Sequence, residues 1–378
     1  MKNALRKPET SIKVHMILVL LFVLTFSAPV HAQQETPFTG DRVVTVMARN
    51  AYSGVDAEIF AVLDSTSLAD LLVRVAAVYN GYFARDFHGR ASLLAAEIEA
   101  KRPALIGLQE ALLVRTQFPA DGTATPATRV ELDYLQILLN ALAARGLHYE
   151  VVVQSTGFDA ELPSALGIDV RHTDREVILV RADLLTADLK LSNAQAGNFV
   201  TNCIIPAGAV LPPITIRRGW VAVDAKIRGK EFRFISTHLD GDCLPFTPLI
   251  QLAQAAEVVS GPGATTLPLV LVGDLNSPAD GTGVTYNSLI ASGFGDTWND
   301  IGLGNGFTCC QDPDLLNGPS VLQDRIDFVM YRGPFTTLSA ETVGDNPAQK
   351  TQSGLWPSDH AGVIARLRLP EPEIQASR

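Results

Sequence analysis

A carboxylate and an amide two residues apart on one face of a strand end can hold a hard cation and hydrogen-bond a phosphoryl oxygen. Residues 269–276, Leu-Val-Leu-Val-Gly-Asp-Leu-Asn, offer that pair in Asp274 and Asn276, although an Asx turn would use the same two residues. Ser358-Asp359-His360 precedes another apolar run, and Asp327 lies in Asp-Arg-Ile-Asp-Phe-Val-Met. A histidine oriented by a carboxylate is the usual general base, while His360 read by itself could be a solvated turn residue. His238 ends Phe-Ile-Ser-Thr-His, as a second imidazole or as a histidine satisfied by the backbone. Glu110 closes Leu-Ile-Gly-Leu-Gln-Glu, where a buried unpaired acid is costly and a cation is its natural partner. Asn50, after Val-Val-Thr-Val-Met-Ala-Arg, could bind the same cation or a phosphate through its amide, or simply turn the chain.

These residues need rigid supports, and nearly all of them fall at or just beyond the end of a strand-like run. Such runs, rich in Val, Ile and Phe and bounded by Gly, Pro or Asp, occupy 42–47, 104–109, 149–154, 176–181, 220–227, 232–237, 267–272, 325–331 and 362–369. Apolar residues recur every three or four positions over 89–101, 131–145 and 248–259, which predicts helices there. Many strands with a few helices argue for two sheets packed face to face and covered outside by helices. One domain over 40–370 is expected, with a disordered tail over 371–378.

The N-terminus reads differently. Lys2, Arg6, Lys7 and Lys13 precede an apolar run over 16–26, and small residues follow to Ala32. This is the pattern of a secretory signal cleaved after residue 32, since the run is about half of the roughly 20 apolar residues a bilayer span needs. A secreted or periplasmic protein is therefore expected, with no stable membrane anchor after cleavage. The formal charge of −10 becomes −13 once the four basic residues and Glu9 of that segment are removed. An acidic surface repels polyphosphate at long range and argues against tight, nonspecific nucleic-acid binding. Four cysteines in an exported chain point to disulfides; Cys203 with Cys243 is the preferred pairing, each lying just outside a strand of one predicted pair, and Cys309 and Cys310 stay undecided.

Taken in order, Asn50, Glu110, His238, Asp274 with Asn276, Asp327, and Asp359 with His360 resemble the endonuclease/exonuclease/phosphatase superfamily across roughly residues 42–369. The resemblance implies an α/β (α+β) four-layer sandwich, two central, mostly antiparallel β-sheets flanked by helices. It implies Glu110 as the main Mg²⁺ ligand, assisted by Asn50 and Asp359, with Mn²⁺ or Ca²⁺ as alternatives. It further implies that Asp274 and Asn276 orient the water and a phosphoryl oxygen. Asp327 with His360 then form the acid–imidazole couple, and His238 contacts the phosphate or protonates the leaving oxygen. Arg175 matches an arginine that deoxyribonuclease-like members carry near the scissile phosphate.

The expected activity is metal-assisted, in-line hydrolysis of a phosphate ester by a monomer. Nucleic acid and a phospholipid head group both remain open as substrates, as a secreted nuclease or a sphingomyelinase/phospholipase C-type enzyme would use them, and so does a non-catalytic binding module of the same fold. A small-molecule phosphatase would need a cationic cluster, for which Arg217-Arg218 is the only candidate and a solvated turn the bland alternative. The stretch 112–174 could form a lid or specificity loop over the site, or decorate the surface.

Overall fold

The computed structural model describes residues 42–184, 188–241, 243 and 245–370. The segment read as a secretory signal and the tail lie outside the described residues. Strands and helices are numbered along the chain.

The first sheet has eight strands. Seven run in the order β15 (Thr336–Val343), β16 (Gly362–Arg368), β1 (Val43–Asn50), β2 (Leu105–Gln109), β6 (Asp169–Arg181), β3 (Leu113–Gln117) and β4 (Arg129–Asp133), and β5 (Tyr149–Pro163) pairs with β6 as well. The second sheet has six, in the order β13 (Gly295–Asp296), β14 (Asp327–Arg332), β12 (Leu269–Asp274), β11 (Lys230–His238), β10 (Gly219–Ile227) and β7 (Leu189–Asn198). A small hairpin of β8 (Cys203–Ile205) and β9 (Ile214–Ile216) stands apart from both.

The sheets face each other. Gly107 of β2 has no room for a side chain because Ser236 of β11 and Val272 of β12 press against it, and Gln109 Nε2 donates across the gap to Ser236 Oγ at 2.9 Å. Outside the first sheet pack α2 (Leu68–Ala84), α3 (Phe87–Lys101) and α4 (Tyr134–Ala144), with α1 (Asp56–Leu63) beside α2. Leu71, Val75, Leu94, Ile98, Leu138 and Leu142 meet Met47, Ile106, Leu108 and Ile364 of that sheet. The second sheet is covered by α5 (Thr247–Ser260) and α6 (Val284–Ala291), whose Ala255, Val258, Tyr286 and Leu289 pack on Ile235, Leu271, Phe328 and Met330. The short α7 (Thr297–Ile301) lies against β14 and β15. Helices, sheet, sheet and helices make the expected four layers, and among the described residues no helix is long and apolar enough to cross a membrane.

Two strand pairings are parallel, β1 with β2 and β11 with β12. Parallel neighbours end at the same edge. Asn50 therefore finishes beside Gln109, which leads directly into Glu110, and His238 finishes beside Asp274. Antiparallel β14 sets Asp327 opposite Asp274, and β16 begins at the edge where β1 ends, bringing in Asp359 and His360. The sheet register alone thus gathers the candidate residues on one rim.

The stretch 112–174 is built into the first sheet and its helical cover. It supplies β3, β4, α4 and most of the β5–β6 hairpin, and the Phe158–Pro163 segment is strand. The helix expected over 131–145 starts at Tyr134, because Arg129–Asp133 pairs with β3 and the Asp133 side chain then caps α4 by accepting from Gln136 N.

Candidate active site

Asp274 sits at the centre of the rim and is 1% exposed. Its Oδ2 lies 3.5 Å from His238 Nε2 and 3.7 Å from His360 Nε2, and its Oδ1 accepts from the Asn276 backbone N–H at 2.9 Å. His360 Nδ1 is 2.8 Å from Asp327 Oδ2. Burial by itself would lower the His360 pKa, but Asp327, Asp359 and Asp274 together raise it well above 6.5 and favour the protonated ring. Burial and the nearby Asp327 push Asp274 up to about 7.

His238 is treated oppositely. Burial lowers it well below the ordinary value, and Arg218 and His360 add to the effect. In the neutral ring Nδ1 accepts from Arg218 Nη1 at 3.0 Å, which leaves the hydrogen on Nε2, 3.5 Å from Asp274 Oδ2 and 3.1 Å from the Asn276 amide. On one rim the two imidazoles are thus shifted in opposite directions, with Asp274 between them.

Glu110 has φ +54° and Asn276 φ +48°, left-handed conformations that non-glycine residues adopt only where their surroundings impose them. Glu110 Oε1 accepts from Asn50 Nδ2 at 2.9 Å and Oε2 from Ser53 N at 2.7 Å. Asn50 Nδ2 also reaches Asp274 Oδ2 at 3.2 Å, while its Oδ1 accepts from Tyr52 N at 2.9 Å. As placed, Asn50 ties Glu110 to Asp274 through its nitrogen and spends its oxygen on the backbone.

Arg175, expected near a scissile phosphate, turns away from the rim. Its guanidinium donates to Ala111 O at 2.6 Å, Leu112 O at 3.2 Å and Asp133 Oδ1 at 2.6 Å, and it is 6% exposed. The arginine at the site is Arg218, which lines a cavity with Glu110 and Asp174 and lies 3.3 Å from Asp174 Oδ2. Sequence reasoning also missed Asp174 and Glu176. Burial, first of all, pushes Asp174 up to about 6 and Glu176 well above the carboxylate range. The legible signal was the alternation Asp174-Arg175-Glu176, in which the two acids share the face opposite the arginine.

The cysteines pair as Cys203–Cys243, as expected, and as the neighbours Cys309–Cys310. Cys310 Sγ is 3.9 Å from His360 Nε2.

A sequence model of the Endonuclease/Exonuclease/phosphatase family matches residues 77–360. An endonuclease/exonuclease/phosphatase family protein from Leptotrichia buccalis superposes with a TM-score of 0.53 at 14% identity, over 86% of this chain and 100% of the other. One from Bacteroides thetaiotaomicron gives 0.52 at 16%, over 87% and 95%. D. rerio TDP2 complexed with single strand DNA product gives 0.50 at 15%, over 87% and 100%. None of the curated proteins compared with the chain matches it. Fold and family match together define a hydrolase of phosphate esters. The matched span runs through His360 and covers most of the chain, and the chain belongs to the endonuclease/exonuclease/phosphatase family.

Members of that family typically use divalent metals, and the donor set here fits a hard cation. Burial pushes Asp359 up to about 6, and the Glu110 carboxylate adds repulsion that a cation would relieve. Two buried trios, Asp274/Asp327/His360 and Asp174/Glu176/His238, each bring three ligand atoms within 4.8 Å of one another. Asp174 Oδ1, Glu176 Oε2 and Asp327 Oδ1 are buried oxygens without a hydrogen-bond partner.

Proposed function

We propose that this protein is an exported, divalent-metal-dependent phosphodiesterase that works by in-line attack of water on a phosphate ester. The observation that carries the reading is the placement of Asp274 between His360 and His238, at 3.7 and 3.5 Å, on the rim that also holds Glu110. Glu110 and Asp359 would hold the metal, which would neutralise charge on the phosphoryl oxygens. Asn50 keeps Glu110 and Asp274 in register.

Residue types suggested His360 as the base; the carboxylates around it favour the protonated ring, which supports a donor's role for it instead. Asp274, with a proton affinity near neutrality, takes the water's proton at Oδ2. His360, braced by Asp327, donates from Nε2 to a phosphoryl oxygen. Neutral His238 and Arg218 face the other side of the phosphate, where the leaving oxygen develops charge. The Cys203–Cys243 pairing and the apolar run over 16–26 support export, since disulfides persist in oxidising compartments.

The test is hydrolysis of bis(p-nitrophenyl) phosphate by the chain without residues 1–32, with Mg²⁺, Mn²⁺ or Ca²⁺ and with EDTA. EDTA should abolish turnover, and Glu110→Gln and Asp274→Asn should each lower it by about 10²–10⁴-fold with an unchanged circular dichroism spectrum. Full turnover in EDTA, or in Glu110→Gln, would remove the reading.

A further inference from the structure

We propose that the substrate's phosphate carries an aliphatic chain, seated in an apolar groove that leads from Glu110 and Arg218 between α1, β5 and the β8–β9 hairpin; this deepens, and rests on, the phosphodiesterase reading. Glu110, Asp174 and Arg218 line the polar end of a cavity of about 90 Å³. A second cavity of about 60 Å³ continues it, because Ile59, Leu63, Phe158, His172 and Ile214 line both. Beyond that junction the walls are Val62, Val75, Val78, Leu162 and Val170.

The junction carries no charge. Burial holds His172 down to about 4, and its Nδ1 is 2.8 Å from Tyr82 Oη, so a neutral ring faces the groove at physiological pH. A polyanion would find no row of cations along these walls, whereas an alkyl chain would leave water for apolar surface.

The roof is built, not incidental. Ile214 and Ile216 belong to the β8–β9 hairpin, where Cys203 pairs in register with Ile216. The Cys203–Cys243 disulfide fastens that hairpin to the segment that follows His238. At its other end the hairpin loop is pinned across the groove to α1, with Gly208 N donating to Leu63 O at 2.7 Å and no space for a side chain at Gly208. A channel that opens at the candidate site and is roofed by a stapled hairpin selects what is attached to the phosphorus.

Isothermal calorimetry with methyl-, butyl- and octylphosphonate, in the presence of Mg²⁺ and below the micelle concentration, reads this directly. Burying each methylene is worth about fourfold in binding, so octylphosphonate should bind at least ~10-fold more tightly than methylphosphonate. In Ile214→Asn, on the half-buried hairpin, that ratio should shrink toward one. Equal affinity along the series, or a gradient that Ile214→Asn leaves intact, overturns the groove. In a parallel arm, Glu110-dependent hydrolysis of a phospholipid in mixed micelles should exceed that of a dinucleotide; the reverse preference also overturns it. A chain-length gradient without any hydrolysis would retain the groove and reject the phosphodiesterase reading.

Discussion

At the scale of single residues, the two arginines separate what sequence can say from what it cannot. Position along a strand places both Arg175 and Arg218 near the rim, but only the sheet register decides which way each points. Arg175 is consumed by Ala111, Leu112 and Asp133, whereas Arg218, dismissed by its doublet with Arg217, faces His238. Arg218→Ala should show itself first in kcat/KM, lowered by about 10²-fold. Arg175→Met should do the opposite, costing about 2–3 kcal/mol by stranding two carbonyls and Asp133. Parallel melts and kinetics decide it; a catalytic loss confined to Arg175→Met would restore the original assignment. His172 makes a prediction of its own. Its folded pKa lies near 4, below the ordinary 6.5, so the unfolded chain takes up the proton first. The neutral ring's contribution is fully present above pH 6.5 and is lost as pH falls toward 4. Asp174, pushed up to about 6, works in the other direction, losing stability as pH rises from 3.8. The difference in urea midpoint between the wild type and His172→Gln isolates the histidine and should shrink from pH 6.5 to 4; a difference independent of pH would rule this out.

At the scale of elements, the strands that carry the site were legible because buried runs such as 269–274 are apolar without interruption and end in Gly-Asp. Of the β5–β6 hairpin only 149–154 and 176–181 were, because the rest of β5 is mostly half-exposed and mixes Ser, Thr, Asp and Glu with Phe and Leu, so its strand character comes from pairing with β6. The helix α2 was obscured by Val, Tyr and Gly in its interior, although Ser67, which accepts from Asp70 N, was a readable cap. Least legible of all was Arg90 on α3. It is fully buried and donates to Ala51 O at 2.8 Å, Tyr52 O at 3.0 Å, Arg85 O at 2.9 Å and Pro357 O at 3.1 Å, with the Phe87 ring 4.9 Å from its guanidinium carbon. It thereby binds the loop after Asn50 to the loop before Asp359. Arg90→Leu keeps much of the packing and strands three buried carbonyls and the partly buried one of Arg85, so a loss of about 3 kcal/mol or more is expected. Faster amide exchange should accompany it in residues 51–55 and in Ser358 and Asp359. A loss below about 1 kcal/mol in urea unfolding would mean that the clamp is dispensable.

At the scale of the whole molecule, the candidate site is mounted on an acidic chain of formal charge −10, or −13 without residues 1–32. Within about 10 Å at 0.1 M salt the rim's own groups govern a bound phosphate, but the approach of a long polyanion is governed by the summed charge. A cation held at Glu110 and Asp359 would give the two ranges opposite signs. A basic nuclease loses affinity for DNA as salt displaces the ion atmosphere it had replaced, giving a falling line of log affinity against log salt. This protein should show the reverse for an oligonucleotide: screening from about 20 to about 200 mM NaCl weakens the repulsion, and kcat/KM should rise. Bis(p-nitrophenyl) phosphate, a single charge, should respond much less over the same range, which separates long-range repulsion from any effect of salt on Glu110 or its metal. A steep fall for the oligonucleotide alone would reveal a local cationic track strong enough to overcome the net charge, and would move the preferred substrate back toward nucleic acid.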